Sequence, residues 1–242
     1  MAHNNGDITD HEFNSMLPSE AKVGKLYGLA KDHKEYDKIP DFRPIASLCG
    51  SMTEQLGRFI DFHIRPVIEE IQSHLDDTPH FLRELESLKT KVGEFPVDVM
   101  PISIDVSKLY PSIPIEEGIS AVEEALDRRT EKGIRTDVIS MLLRLVLSCN
   151  VVEFNNELYH QKWGTTMGSA CSPAYADIFM ENIEKKFLES ITNTGLKNKI
   201  FEGFFRRYLD DIFLLWRGTK DEFEEFMDLR NTFHTNLKFV YE

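Results

Sequence analysis

Tyr208-Leu-Asp-Asp211 lies between two apolar runs, Phe204-Phe205 before it and Ile212-Phe-Leu-Leu-Trp216 after it. That pattern predicts a tight hairpin with two adjacent carboxylates at its tip. Adjacent carboxylates repel, and beside an apolar sheet they are costly unless a cation neutralises them. Taken alone, an Asp pair in a hairpin is more often a solvated turn. Asp105 is a second source of oxygen, at the end of the run Met100–Val106, in which Ile102 and Ile104 alternate with smaller residues. An acid closing one strand more often caps than binds. Three carboxylates delivered by neighbouring strands make a hard-oxygen site of the kind Mg²⁺ takes, completed by water and substrate phosphate.

Two other stretches carry chemistry. Gln161-Lys-Trp-Gly-Thr-Thr-Met-Gly-Ser-Ala-Cys-Ser-Pro173 is a loop of small residues ahead of a helix start. Its glycines, Gly164 and Gly168, permit close approach of a ligand to backbone, and a plain connecting loop reads equally well. Lys22, Lys25, Lys31, Lys34, Lys38 and Arg43 cluster in one segment. Lys31 and Arg43 can hold a triphosphate as point charge and planar fork. In isolation the same segment is a basic surface ribbon.

These residues need elements to hold them. Ser51-Met-Thr-Glu54 reads as a capping box opening a helix, which Pro66 should kink or break. Thr78-Pro79 opens another helix, with Phe81, Leu82, Leu85 and Leu88 supplying its apolar stripe. Pro114 starts a third and Thr136 a fourth. Asn155-Asn156 predicts a hairpin between Val151–Phe154 and Leu158–His160. Ser172-Pro173 starts a helix to about Glu189, Lys220 to Phe233 is amphipathic, and Leu237 to Tyr241 is a last strand. Hairpins imply antiparallel pairing, so the fold class is α+β, with an antiparallel sheet backed by helices. Residues 1–20 read as a loose polar leader, and no linker composition divides the remainder.

Composition bounds the rest. The 242 residues are 41% hydrophobic and 29% charged, with 17 Phe, which suits a folded core and argues against disorder. No apolar run reaches the ~20 residues of a membrane span, and the N-terminus does not resemble a signal peptide. An intracellular protein with no membrane partner is expected. Cys49, Cys149 and Cys171 form no CxxC pair, which excludes a thiolate zinc site or disulfide framework. His33, His63, His74 and His80 match no zinc spacing. The net charge of −13 points away from nucleic acid, leaving an acidic interaction domain as one reading. The basic segment Lys22–Arg43 offers a local exception.

The blocks KLYGLAKDHK, FRPIAS, TEQLGRFID, DDTPHFL, DVSKLYPSIPIEEG, QKWGTTMGSACSPAYADIFM and RRYLDDIFLLW, in this order from Lys25, resemble reverse transcriptases. More narrowly they resemble the Penelope-like retroelement branch, which is similar to telomerase reverse transcriptase in these blocks. The resemblance implies a right-hand polymerase fold, with fingers over about 21–98 and palm over 99–242. Part of the fingers would come from 111–160. The thumb and the GIY-YIG endonuclease often found after it are expected to be absent from these 242 residues.

The resemblance also implies roles. Asp105, Asp210 and Asp211 would be catalytic and would hold two Mg²⁺, with Mn²⁺ able to substitute, helped by the Val106 carbonyl. Lys31, Arg43, Tyr110, Gln161 and Gly168 would bind the nucleotide, Tyr110 as the gate against a 2′-hydroxyl. Gly164, Met167 and Tyr208 would contact template or primer, and Lys238 is a candidate proton donor to pyrophosphate. Where family members usually read Leu-Pro-Lys, this chain reads Leu29-Ala30-Lys31. The implied activity is RNA-directed DNA polymerase: dNTP addition to a DNA primer on an RNA template, in the nucleus. A remnant that only binds nucleic acid or a partner is the alternative.

Overall fold

The computed structural model describes residues 6–18, 20–31, 39–130, 133–192 and 194–241. Lys34 and Lys38 of the basic segment, and His33, lie outside them.

Two four-stranded sheets organise the chain. The first contains β1 (Gly24–Ala30), β2 (Phe42–Ser47), β4 (Val151–Phe154) and β5 (Glu157–His160), in the order β2-β1-β4-β5. It is mixed: β1 runs antiparallel to β2 and parallel to β4 through Gly24↔Val152 and Lys25↔Glu153. The second contains β3 (Met100–Val106), β6 (Ile200–Tyr208), β7 (Asp211–Trp216) and β8 (Phe239–Tyr241), in the order β6-β7-β3-β8. It is antiparallel throughout, as the hairpin pattern predicts.

Helices α2 (Glu54–Ile68), α5 (Ile115–Asp127), α6 (Thr136–Ser148), α7 (Ser172–Ser190) and α9 (Lys220–Phe233) supply the main core behind this antiparallel sheet. Strand alternation sets the division. Ile102, Ile104 and Val106 of β3, and Ile212, Leu214 and Trp216 of β7, turn into that core. Pro101, Ser103 and Asp105 turn to the other face. There α3 (Thr78–Val92) covers one end of the sheet, packing Leu88 and Phe81 against Phe201, Phe204, Phe213 and Leu215. Helices therefore cover both faces, and Asp105 remains exposed at the β3–β7 end. Single turns α4 (Leu109–Ser112) and α8 (Thr194–Lys197) complete the elements.

Three local expectations change. Asp10–Met16 forms a helix, α1, within the stretch read as a loose leader. Thr9 and Glu12 close a reciprocal capping box there, and Ile8 and Met16 enter the main core. At α2 the predicted Ser51–Glu54 box does not form. Instead the Glu54 carboxylate accepts from the Gly50 N–H at 2.6 Å, satisfying a donor ahead of the helix. Pro66 does not interrupt α2, which ends two residues later at Ile68, so proline falls in the final turn and little helix remains to be lost.

Candidate nucleotidyl-transfer site

The acidic cluster is built by strand register. Asp105 stands directly opposite Asp211 in the β3–β7 ladder, so both carboxylates project from the same face. Leu209 and Asp210 form the turn between β6 and β7, with Leu209 left-handed at φ 53°. The predicted turn included Asp211; it is the first residue of β7. The Val106 N–H donates to the Asp210 carbonyl at 2.9 Å, tying the turn to the end of β3.

Burial and mutual repulsion act on the acids. The Asp210 carboxyl is pushed above the ordinary range, first by burial and then by the charges of Asp211 and Asp105. Asp211 is raised by burial and by Asp105. Arg43 opposes the shift at both. The donor set thus carries more negative charge than its surroundings neutralise, which fits a hard cation. Among the described residues no group of three or more His, Cys, Asp or Glu side chains is placed to hold a metal ion by itself. Mg²⁺ does not require one, because it keeps waters and takes substrate phosphates.

A cleft of about 720 Å³ runs between the two sheets. Asp105 and Asp210 line it from one side, Lys31 and Arg43 from the other, with Tyr110, Gln161, Met167, Lys108 and Trp163 between them. Arg43 is reached through the β1–β2 pairing Leu29↔Arg43, and the Lys31 N–H donates to Asp41 O at 2.8 Å. Asp211 and Tyr208 line a separate space of about 400 Å³, facing Leu75, Thr78 and Phe81 at the start of α3. Asp105, Asp210, Lys31, Arg43, Tyr110, Gln161 and Met167 therefore line one space and Asp211 and Tyr208 an adjoining one, while Val106, Gly164 and Gly168 line neither. Lys238 is exposed and lines neither space; its carbonyl accepts from the Ser107 N–H.

Gly164 and Gly168 are explained by the chain's own backbone. A Cβ on Gly164 would lie 2.2 Å from Tyr110 O, and one on Gly168 2.0 Å from Ala46 O. Both have positive φ, 67° and 137°. Next to them, the Thr165 N–H donates to Tyr110 O and the Ala46 N–H to Met167 O, each at 2.9 Å. Gln161 Nε2 donates to Trp163 O and Thr165 O, bracing the same loop. The loop thus clamps Tyr110 to β2. Burial, then the charges of Asp177 and Asp210, push the Tyr110 phenol up to about 12, so it stays a neutral ring with a hydroxyl donor.

The sequence reading missed several groups. Asn150 and Thr166 are 1% and 2% exposed, line the cleft, and leave Asn150 Oδ1 and Thr166 Oγ1 without partners. A buried polar atom without a partner costs about 1–3 kcal/mol, so these two point to a ligand or water that supplies one. No motif covers Asn150, and Thr166 falls within the Gln161–Pro173 loop, where nothing singles it out. Arg207, wholly buried beneath the hairpin, binds Asp177 and Glu184 of α7 and donates to Leu209 O at 3.2 Å. A signal for it existed: Arg207 is registered opposite the core residue Ile212, and Asp177 and Glu184 are seven residues apart on one helix face.

Solved polymerases share this architecture. A telomerase from Candida tropicalis, truncated from its C-terminal domain, is similar over 90% of this chain and 49% of its own, with TM-score 0.61 and 13% identity. A telomerase from Candida albicans in complex with a telomeric RNA fragment matches over 87% of this chain and 40% of its own (TM-score 0.59, 12% identity). An RNA-dependent RNA polymerase of a human picobirnavirus matches over 91% and 42% (TM-score 0.62, 14% identity). The chain spans about half or less of the length of these proteins, and at such identities the likeness is one of fold: the right-hand polymerase fold. No curated protein sequence matches. The family model described as reverse transcriptase (RNA-dependent DNA polymerase) matches residues 31–240, from the cleft lysine Lys31 through the acidic hairpin to β8, and the chain belongs to that family.

Proposed function

We propose that this chain is the catalytic core of an RNA-directed DNA polymerase of the Penelope-like retroelement type. It extends a DNA primer with dNTPs on an RNA template by a two-metal mechanism, in the nucleus. The observation that carries the reading is the single cleft joining Asp105 and Asp210 to Lys31 and Arg43 across two sheets. The fingers comprise residues 21–98 with part of 111–160, and the palm follows from 99.

Asp105, Asp210 and Asp211 would hold Mg²⁺ with the Val106 carbonyl. When bound, the ions neutralise the carboxylates and the phosphate charge and make the primer hydroxyl a better nucleophile. The chain's own residues bind and orient. Lys31 and Arg43 hold the triphosphate, and Asn150 and Thr166 stand in the wall of the same cleft. Tyr208 and Asp211 face the adjoining space, which suits the primer end. Tyr110, clamped by the Gly164 loop, stands as a fixed ring against a ribose 2′-hydroxyl.

Primer extension tests this. The chain, with Mg²⁺ and an RNA-templated DNA primer, should add dNTPs in preference to rNTPs. Tyr110→Ala should lower the dCTP-to-CTP ratio of kcat/KM by about tenfold or more, because steric exclusion acts on the difference between substrates. A ratio that holds while both activities fall together would make Tyr110 a packing residue. Nucleic-acid binding without extension would indicate a binding remnant instead.

A further inference from the structure

A cavity of about 350 Å³ opens between α7, α9 and β6, and none of the residues proposed for catalysis or nucleotide binding lines it. Its distinctive member is Arg230 on α9, which is 3% exposed. The guanidinium lies over the rings of Phe239, Phe187 and Phe205, at 4.3, 5.3 and 5.4 Å from their centroids. Its Nε and Nη2 have no hydrogen-bond partner. Among the described residues no carboxylate lies within ion-pair distance of it. The nearest candidate, Glu184, is already engaged: one oxygen accepts from Arg207 Nε at 2.7 Å, the other from Ser73 Oγ at 2.8 Å.

Burial brings the guanidinium down to about 10, so it remains charged at neutral pH. Ring faces offset only part of the cost of burying such a charge. Desolvated cation–π contacts return less than the burial of an ion costs. A charged guanidinium that lines a cavity, with Nε and Nη2 buried and unpartnered, is a site lacking its anion. The other charges around the cavity agree. Glu181 is paired with Arg128 and Lys185, and Arg206 with Glu84. Lys197 has no ion-pair partner among the described residues. The uncompensated charges are therefore both positive. Ile71, Leu188, Ile200 and Phe226 make much of the remaining wall apolar.

We propose that this cavity binds a small molecule with one carboxylate and an apolar body, the carboxylate on Arg230 and the body against Ile200 and Phe226. A planar guanidinium matches a carboxylate in two parallel hydrogen bonds. A multiply charged, strongly hydrated phosphate would desolvate poorly here and would meet Glu184.

The test uses hexanoate as probe, with hexanol, chloride and inorganic phosphate at matched ionic strength, read by thermal midpoint and by titration calorimetry. Hexanoate should raise the midpoint in a saturable way, through preferential binding to the folded state, and the three controls should not. Arg230→Met keeps the stem and the ring contacts but lacks the fork, and should weaken hexanoate binding by about tenfold or more. Lys197→Ala, at a residue outside the core, should weaken it several-fold and serves as the decisive variant if Arg230→Met fails to fold. Hexanol or chloride matching hexanoate, or undiminished binding in these variants, overturns the proposal. Neither readout depends on polymerase activity.

Discussion

Arg207 and Asp210 lie three residues apart on one hairpin, and the charges around them are settled in opposite ways. Arg207 is fully buried, with Asp177 and Glu184 against its guanidinium and the Leu209 carbonyl on Nη1. Its neighbours Ser73 and Leu75 exchange backbone hydrogen bonds with it, at 2.6 and 2.9 Å. Every charge in that cluster has a partner within the chain. Asp105, Asp210 and Asp211 have one another and, across the cleft, Arg43; the carboxyls of Asp210 and Asp211 rise, first through burial and then through their acidic neighbours. A satisfied buried network holds geometry, whereas an unsatisfied cluster holds affinity for whatever will satisfy it. The first positions the turn from which the second projects.

The largest effect should follow from breaking the satisfied cluster. Arg207→Met would leave Asp177 and Glu184 buried without their cation. Removal of one partner of a buried pair costs about 3–5 kcal/mol. Urea unfolding should show that loss as a lower midpoint at similar slope. Adding Asp177→Asn and Glu184→Gln to it should recover part of the loss, because the stranded charges are then gone. A cost under about 1 kcal/mol would mean that packing alone seats the hairpin.

Breaking the unsatisfied cluster should do the reverse: cost activity and spare the fold. Asp210→Asn should reduce primer extension by at least ~10³-fold, the scale expected for a lost catalytic metal site. Unfolding in urea should not be weakened. Near wild-type extension with the same Mg²⁺ dependence would remove Asp210 from the metal assignment.

Which cluster could be read from the amino-acid sequence follows from its physics. The acids stand at strand ends and a turn, where alternation in Ile102-Ser-Ile-Asp105 and the apolar flanks of Tyr208–Asp211 place them without any knowledge of partners. Arg207 depends on tertiary contacts, since its acids come from α7, 30 and 23 residues earlier in the chain. The first sheet was hidden for the same reason. Local patterning marks the β4–β5 hairpin through Asn155 and Asn156, both with positive φ. It does not state that β4 runs parallel to β1, a pairing that joins Gly24 to Val152. Asn150 and Thr166 acquire meaning only when the folded cleft leaves their oxygens without partners.

Arg43 bridges the comparison, being the cation that the acids feel but do not contact. Arg43→Ala should raise the KM for dNTP by about 10–100-fold, equivalent to a charged contact of 1.5–3 kcal/mol, and Lys31→Ala should act in the same direction. Steady-state titration of dNTP on one primer–template checks both. Unchanged KM in both variants would move the triphosphate elsewhere.

The smallest expected effect is a gain in stability. The folded-state carboxyl of Asp211 is raised above its ordinary value by burial and by Asp105, so the folded chain prefers it protonated. The contribution is therefore favourable at acid pH and is lost as pH rises from the ordinary carboxylate range through the raised value. At neutral pH without divalent cations the charged form works against folding, and an amide removes that burden. Asp211 is exposed, and screening keeps the effect small. Asp211→Asn should then raise the thermal midpoint at pH 7 by about 1–3 °C, a shift on the order of half a kcal/mol for a domain of this size. The gain should vanish at pH values below the ordinary carboxylate range, where wild type is protonated too. Mg²⁺ should stabilise wild type more than the variant, because only wild type retains the full charge that the ion offsets. Calorimetric scans at acid and neutral pH, with and without Mg²⁺, check all of this at once. A variant less stable than wild type at neutral pH would show that Asp211 is tied into the fold as Arg207 is, and the contrast between the two clusters would fail.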